Sequence, residues 1–203
     1  MLVSSTVIED VDIMRKAGLA SLAFFYCDFR EDQKKNLRGL LSSFLVQLCH
    51  QFDAYSNKLQ ELYLDHAKGL RRPSDGELVG CLKDLLKHPG LPPVYLIVDA
   101  LDECPDTSIR SPRAEVLNLL EELIKSQFPN LRICVTTRPE IDITDVLDPL
   151  KFRFVSLHSL SEQRRDINNY IKWVINTNPK IKGWREQHRQ RVVGVFTEKS
   201  NGM

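Results

Sequence analysis

Three carboxylates directly follow an apolar run in the middle of the chain. Val94–Val98 is apolar throughout, and Asp99, Asp102 and Glu103 come within the next five positions. A surface loop does not need the apolar run, and a core strand seldom ends in so much negative charge. The pattern indicates a positively charged partner, for which a metal ion that holds a phosphate is the first candidate. A solvated acidic loop after a core strand is the alternative that these residues leave open.

A second polar group follows the next apolar segment. The stretch LRICVTT, residues 131–137, ends in Thr136 and Thr137, and Arg138 comes next. A hydroxyl and a guanidinium are well suited to bind a phosphate. An arginine after a strand is by itself usually a surface residue, so its functional interpretation depends on the acidic residues lying beside it.

The elements that must position these side chains are strands of one sheet. Four segments are apolar at almost every position, namely residues 19–27, 94–100, 131–137 and 152–157. Such runs are typical of parallel strands that are covered on both faces. Ligands of open α/β sheets bind beyond the carboxyl ends of the strands. The acidic residues and the arginine are both expected at that edge.

Helical periodicity separates the predicted strands. Apolar residues recur at helical spacing in residues 3–17, 37–48, 78–86, 116–124 and 167–175. Helix starts are predicted by three capping patterns: Ser74 with Glu77, Ser111 before Pro112, and Ser159 with Glu162. The alternation predicts a doubly wound α/β fold with a mainly parallel sheet. The fold should be incomplete at the N-terminus, because the first helix lacks a strand before it, and should end in the start of a helical extension.

Composition excludes several classes of partner. With 28 Lys+Arg against 27 Asp+Glu, the chain has no net field that favours nucleic acid or an acidic membrane, so neither is expected as a partner. The five cysteines are odd in number and widely spaced, which predicts reduced thiols rather than a disulfide framework. The N-terminus lacks a signal-peptide pattern and no apolar run is long enough to span a bilayer. A cytoplasmic location is expected.

Other residues are weaker candidates. Asp28 and Arg30 follow the first predicted strand, but a structural or surface role is favoured for both. The five histidines show no metal-ligand spacing. The basic run WREQHRQR, residues 184–191, is short and is better explained as a solvated helix face.

The two strand-end segments, taken together, resemble a known family. VYLIVDALDE, followed later in the chain by LRICVTTRPE, is similar to the Walker B and sensor 1 segments of NACHT proteins. These are signal-transducing P-loop NTPases of the STAND class, and the likeness is greatest to fungal members with a nephrocystin-like N-terminal domain. The stretches SSTVIEDV, FFYCDFRED, LRGLLSSFLVQLC and EKSNGM also resemble that family in order. The similarity covers essentially the whole chain.

The resemblance implies a role for each strand-end residue. Asp99 would be the Walker B aspartate linked to Mg²⁺, and Asp102 and Glu103 would be catalytic, one of them placing the hydrolytic water. Arg138 would be the sensor arginine that contacts the nucleotide, with Thr137 beside it. The implied cofactors are Mg²⁺ with ATP or GTP in the complete domain. Many NACHT proteins carry glycine after the first aspartate, where this chain has Ala100.

The same resemblance implies the domain organisation and the function. Residues 1–158 would be a partial nucleotide-binding domain that begins at the helix after the phosphate-binding loop, and residues 159–203 the beginning of a helical subdomain. The complete protein would be a nucleotide-dependent switch of NLR-like signalling, acting in fungal non-self recognition or cell death. Homo-oligomer formation through the complete protein would follow.

One departure from the family leaves a second hypothesis open. The family cradles phosphates in a loop of the form G-x-x-x-x-G-K-[ST], and none of the 203 residues forms one. Both termini have the pattern of interrupted elements, so the chain is expected to be a fragment without activity of its own or a domain that does not turn over nucleotide. The alternative function is a non-catalytic interaction scaffold that keeps the NACHT fold.

Overall fold

The computed structural model describes residues 2–51, 53–66, 68–106, 111–150, 153–155, 161–177 and 184–199. Its strands are β1 (Ser21–Tyr26), β2 (Val94–Asp99) and β3 (Leu131–Val135). Its α-helices are α1 (Leu2–Lys16), α2 (Leu37–Cys49), α3 (Asp53–Asp65), α4 (Asp75–Leu86), α5 (Pro112–Lys125), α6 (Ile141–Leu147), α7 (Ser161–Thr177) and α8 (Glu186–Lys199). The chain divides into two compact units, Met1–Phe152 and Arg153–Met203.

The sheet is parallel throughout its three strands. Their order is β1-β2-β3, which places β2 in the centre. Ser21 lies opposite Val94, and Val94 lies opposite Leu131, so the strands start nearly level. The segments that follow β2 and β3 therefore leave the sheet at the same edge. The prediction of a parallel α/β sheet is confirmed at this level.

Helices cover both faces of the sheet. On one face α1 packs through Val11 against Leu22 and Ile97. On the other face the buried side chains of α2, α4 and α5 pack against Ala23 and Leu96. Apolar residues on both faces of β1 and β2 thus lose contact with water, each fully buried aliphatic side chain contributing roughly 1.5–3 kcal/mol relative to exposure. This explains why these two sequences are apolar without alternation, whereas β3 is half-buried and exposes Arg132.

Local capping residues begin two of these helices as predicted. The Ser74 hydroxyl accepts a hydrogen bond from the Glu77 amide, and the Glu77 carboxylate accepts one from the Ser74 amide. Ser111 caps α5 through the amide of Ala114, with Pro112 in the first turn. Each bond satisfies an amide that the first helical turn would otherwise leave unpaired.

Some elements differ from the sequence prediction. Of the strand expected at 152–157, residues 153–155 are described and form no strand, and the remainder lies outside the described residues. Ser159 also lies outside them, although α7 begins shortly after it. Helix α3 was not predicted because polar residues surround its few apolar positions, of which Leu59 and Leu62 contact the core. Helix α6 has only seven residues, too few to show a periodicity. The assignment of residues 1–158 and 159–203 to two domains stays a prediction.

The second unit, considered by itself, contains α7 and α8, which pack against each other. The rings of Tyr170 and Trp173 in α7 stack with their centroids 6.1 Å apart.

Across the part of the chain that the structure describes, no helix has the length and hydrophobicity that crossing a membrane requires.

Gln47 of α2 and Gln51, two residues after that helix, close the outer edge of β1. The side-chain amide of Gln51 accepts from the Leu22 amide at 2.9 Å and donates to the Leu22 carbonyl at 2.5 Å. One helical turn earlier, Gln47 makes the same pair of bonds to Phe24, at 3.1 and 2.7 Å. An exposed strand edge is a template for pairing with another chain. The two amides occupy the backbone groups that such a chain would need.

We predict that replacing both Gln47 and Gln51 by alanine lowers the free energy of unfolding by about 1–3 kcal/mol, because four hydrogen bonds to the β1 backbone are lost. The variant should also self-associate more readily, because the edge of β1 becomes available. Urea unfolding and sedimentation velocity measure the two effects. The matched control is Gln60→Ala on the exposed side of α3. Equal stability and equal sedimentation of the double variant and this control would contradict the assigned role.

Candidate functional site

The carboxyl ends of β2 and β3 are joined by a side-chain hydrogen bond. Asp99 is the last residue of β2 and is 4% exposed. Its Oδ1 atom accepts a hydrogen bond of 2.5 Å from Oγ1 of Thr136. The Thr136 amide in turn donates to the Val98 carbonyl at 2.9 Å. Thr136 therefore continues the β2–β3 ladder beyond the last strand residues and fixes the orientation of the Asp99 carboxylate.

The chain turns sharply after Asp99. Ala100 has φ 55° and ψ 50°, the left-handed helical region, which costs a residue with a Cβ atom about 1–2 kcal/mol. Its amide donates to Oγ1 of Thr136 at 2.9 Å, and the Leu101 amide donates to the Thr136 carbonyl at 3.0 Å. Buried Leu101 begins a 3₁₀ turn, Leu101–Glu103. We call this segment the acidic turn. The left-handed conformation of Ala100, just before this turn, explains why glycine suits position 100.

Asp102 of the acidic turn contacts the residue predicted as the sensor arginine. Oδ1 of Asp102 accepts from the Arg138 amide at 3.1 Å, and Oδ2 lies 3.4 Å from Nε of Arg138. The Asp102 side chain is 11% exposed and that of Arg138 is 82% exposed. Solvent screens such an ion pair, so the side-chain contact contributes little to stability. The bond to the amide is the one that anchors the turn, and the exposed guanidinium keeps access to a ligand.

The other two predicted site residues have different surroundings. Oγ1 of Thr137 donates to the carbonyl of Arg138 at 2.9 Å and makes no contact with the carboxylates. Glu103 is half-buried, and its amide donates to the Ala100 carbonyl at 2.9 Å, whereas its carboxylate makes no hydrogen bond to the described residues. Asp28 and Arg30, at the end of β1, pair with each other through two side-chain bonds of 2.8 and 2.9 Å. The Asp28 carboxylate, and more weakly Glu103, raise the pKa of Arg30, while Arg30 lowers the pKa of Asp28 to about 2.

A buried arginine holds the acidic turn from beneath. Arg113 in the first turn of α5 is 8% exposed. Its guanidinium donates to the carbonyl of Asp102 at 2.7 Å and to that of Cys104 at 2.9 Å. It also donates to both carboxylate oxygens of Asp142 in α6, at 3.2 and 3.1 Å. Because α6 follows soon after Arg138, this one side chain connects both strand-end segments.

Two thiols meet beside the same turn. The sulfur atoms of Cys27, which follows β1, and Cys104, which follows the acidic turn, lie 3.5 Å apart. Both residues are buried. Contact with Cys27, helped by the charge of Arg113, lowers the pKa of Cys104. Contact with Cys104, burial and nearby carboxylates raise the pKa of Cys27. Of the two thiols, Cys104 is therefore the one that ionises first.

The donor set at this edge suits a hydrated magnesium ion better than a protein-enclosed metal. Within the described ranges, no three His, Cys, Asp or Glu side chains are grouped so as to hold a metal ion. Mg²⁺ usually keeps several waters and takes only one or two carboxylates together with substrate phosphates. Asp99 supplies one carboxylate whose orientation Thr136 fixes, which is sufficient for that type of site.

Comparison with known proteins assigns this chain to a family. Residues 2–138 match the family described as Nephrocystin 3, N-terminal. The chain belongs to this family. The matched segment of the nephrocystin 3 N-terminal domain runs from α1 to Arg138 and so contains all five predicted site residues. A distant relative is the vegetative incompatibility protein HET-E-1 of Podospora anserina, 32% identical over 101 residues. That match covers 48% of this chain and 7% of the relative. No solved structure matches the chain.

In this nephrocystin 3 N-terminal domain, the structure brings Asp99, Asp102 and Arg138 to one edge of the sheet. Glu103 lies on the same turn, and Thr137 follows β3 but donates its hydroxyl to the Arg138 carbonyl. The threonine that contacts Asp99 is Thr136. The metal-binding, catalytic and nucleotide-binding roles of the five residues stay predictions.

Sequence reasoning missed the contributions of Thr136, Arg113 and Asp142. Thr136 and Thr137 are adjacent, and nothing in the sequence states which hydroxyl faces β2. From sequence alone, an arginine in the first turn of a helix is interpreted as a surface residue. Asp142 stands 29 residues from Arg113, so only folding pairs them.

We predict that Thr136→Val lowers the free energy of unfolding by roughly 1–3 kcal/mol, because it leaves the Asp99 carboxylate and the Ala100 amide without their shared partner. Thr136→Ser should restore most of this loss, since it keeps the hydroxyl. Urea unfolding provides the measurement. The neighbouring Thr137→Val is the control, because its hydroxyl bonds only to an exposed carbonyl. Finding Thr136→Val as stable as Thr137→Val would refute the bridging role.

We predict that Arg113→Lys lowers the free energy of unfolding by about 2–4 kcal/mol, because one ammonium cannot serve two carbonyls and a carboxylate in different directions. Arg132→Lys on the exposed surface of β3 is the control and should lie within about 0.5 kcal/mol of the unchanged protein. Chemical denaturation measures both. A conservative replacement of Arg113 without a stability loss beyond this control would be inconsistent with the described contacts.

Proposed function

We propose that this chain is part of a NACHT-type nucleotide-dependent switch domain that binds Mg²⁺ with ATP or GTP at the carboxyl ends of β2 and β3. The observation that carries the proposal is the convergence of Asp99, Asp102 and Arg138 at that edge, with Asp99 held by Thr136 at 2.5 Å. In open α/β sheets this edge is where ligands bind. Two carboxylates beside an exposed guanidinium provide groups for both a cation and its phosphate.

Each residue has a separate task in this proposal. Asp99 would hold a Mg²⁺ ion directly or through water, and the chemistry supplied there would be neutralisation of charge on the phosphates. The exposed guanidinium of Arg138 swings from Asp102 to a phosphate oxygen, at little cost because the ion pair it leaves is screened. Thr137 follows β3 next to Arg138 and contributes its hydroxyl to the same nucleotide.

The two carboxylates of the acidic turn differ in their availability. Asp102 already accepts a hydrogen bond from the Arg138 amide and forms an ion pair with its guanidinium. Glu103 lies on the same turn, held by its amide bond to the Ala100 carbonyl, and its carboxylate has no hydrogen bond to the described residues. We therefore assign the orientation of the hydrolytic water to Glu103, and the positioning of Arg138 to Asp102.

The biological context comes from the family and from the fungal relative. A relative named as a vegetative incompatibility protein supports a role in fungal non-self recognition. In this proposal the complete protein couples nucleotide exchange to homo-oligomer formation and acts in the cytoplasm. The switch requires two states of differing affinity for the nucleotide, and reorientation of Arg138 would distinguish them.

A non-catalytic interaction scaffold is the second candidate. The observation that favours it is that Asp99 and Asp102 both accept hydrogen bonds from protein donors. The two carboxylates at this edge therefore have hydrogen-bond partners without a ligand. In a scaffold these carboxylates would serve stability alone.

The test is nucleotide binding and turnover by the protein encoded in the complete reading frame that contains this chain. Calorimetric titration with ATP and GTP, with and without Mg²⁺, should show Mg²⁺-dependent binding. Asp99→Asn should weaken this binding on the order of tenfold or more. Glu103→Gln should spare binding and slow phosphate release by roughly 100-fold or more.

The matched controls are Asp145→Asn in α6 and Glu9→Gln in α1, two exposed carboxylates that are not among the predicted site residues. Both should behave as the unchanged protein. No Mg²⁺-dependent heat at saturating nucleotide would overturn the switch and favour the scaffold. Binding that Asp99→Asn leaves intact would overturn the metal role of this residue.

A further inference from the structure

The contact between Cys27 and Cys104 has no part in the proposed nucleotide chemistry. The two residues are separated by 77 positions, yet their sulfur atoms lie 3.5 Å apart. This distance is at or below van der Waals contact for two sulfur atoms. The pair is therefore a preformed dithiol beneath the acidic turn.

We propose that Cys27 and Cys104 form an oxidative modification site, a dithiol that a small hydroperoxide converts to a disulfide. A disulfide bond is about 2.05 Å long, so closing it requires the sulfurs to approach by about 1.5 Å. Rotation of the two side chains can supply much of a movement of this size. The inference is independent of whether the domain binds nucleotide.

Backbone hydrogen bonds hold both cysteines against the same segment. The Cys27 amide donates to the Asp99 carbonyl at 3.0 Å, and the Cys104 amide donates to the Leu101 carbonyl at 3.0 Å. The Cys104 carbonyl also accepts from Arg113 at 2.9 Å. The two main chains therefore keep the thiols facing each other, which favours an intramolecular reaction over reaction with a separate thiol.

The surroundings select the class of oxidant. Both thiols are buried, which disfavours bulky disulfides as reaction partners. Asp106 nearby is exposed and Pro105 is half-buried, so solvent lies close to Cys104. A hydroperoxide is small enough to enter through a local opening of the turn. The Arg113 cation beside Cys104 favours a thiolate, which is the nucleophile in such reactions.

The reaction balances in two steps. The Cys104 thiolate attacks the terminal peroxide oxygen, the O–O bond breaks, and the products are a sulfenic acid and water or an alcohol. The Cys27 sulfur then attacks the sulfenic sulfur, forms the S–S bond and releases the hydroxyl group, which leaves as water with the Cys27 proton. In total two thiols and one hydroperoxide give one disulfide, one water and one further water or alcohol. The two sulfurs lose two electrons to the peroxide oxygens.

The product would tie the end of β1 covalently to the acidic turn. Intracellular disulfides of this kind are usually transient or redox-sensing, because cellular thiols reduce them again. Addition of a small dithiol should therefore restore both cysteines.

The experiment treats the reduced, folded chain with hydrogen peroxide, blocks remaining thiols by alkylation, and maps peptides by mass spectrometry. The expected result is the loss of two of the five alkylatable thiols, with a Cys27–Cys104 cross-linked peptide that dithiothreitol removes. In Cys27→Ser the sulfenic acid on Cys104 cannot be resolved and should be captured by dimedone. Cys134→Ser is the matched control, on the neighbouring strand β3, and should give the full yield of the cross-link.

Other results of the same experiment would contradict the proposal. Alkylation of Cys27 and Cys104 to the same extent as the remaining cysteines, or conversion of either to sulfinic acid without a cross-link, overturns the proposal. The same holds if urea-unfolded chain forms the pair as efficiently as folded chain, because preorganisation would then have no part. The peptide map of the unchanged protein decides the question even if the serine variants fail to fold.

Discussion

The hydroxyl group of Thr136 lies where the two strand ends meet, and much of the candidate site depends on it. It donates to the Asp99 carboxylate at 2.5 Å and accepts from the Ala100 amide at 2.9 Å. The first bond keeps a buried carboxylate hydrogen-bonded, which a largely dry site requires. The second supports Ala100 in a left-handed conformation that it would not choose alone. One residue after β3 thus determines both where the acidic side chain points and how the chain leaves β2.

Arg113 provides the complementary support below the turn. A buried guanidinium is costly unless its donors and its charge are satisfied, and here two carbonyls and the Asp142 carboxylate satisfy them. The pair of Arg138 and Asp102 is different, since the Arg138 side chain is 82% exposed and solvent weakens the ion pair. The rigid support of Arg113 and the exposed charge of Arg138 both meet Asp102. This combination is what a nucleotide-responsive site needs, because the framework must persist while one group changes partner.

At the outer edge of β1, polar backbone groups also have side-chain hydrogen-bond partners. Gln47 and Gln51 occupy the backbone groups of β1 that a neighbouring strand would use, so α2 and the turn after it both cover one face of the sheet and close its edge. The contact between Cys27 and Cys104 lies at the end of the sheet where β1 and β2 finish level, with Tyr26 opposite Asp99. The proposed switch concerns this same end, where the strand termini, the buried arginine and the thiol pair are concentrated.

The sequence by itself determined the strand and helix types of the core, because apolar runs and helical stripes such as Leu37–Leu48 are local patterns that need no partner to be recognised. It also located Asp99 and Arg138 at strand ends, since strand direction assigns them to the carboxyl edge. It did not determine that Thr136 rather than Thr137 faces Asp99, that Arg113 is buried, or that Cys27 meets Cys104. Those facts depend on strand register and helix packing between residues far apart in sequence. The tertiary structure decided them because side-chain distances across strands are fixed only when the sheet and its covering helices assemble.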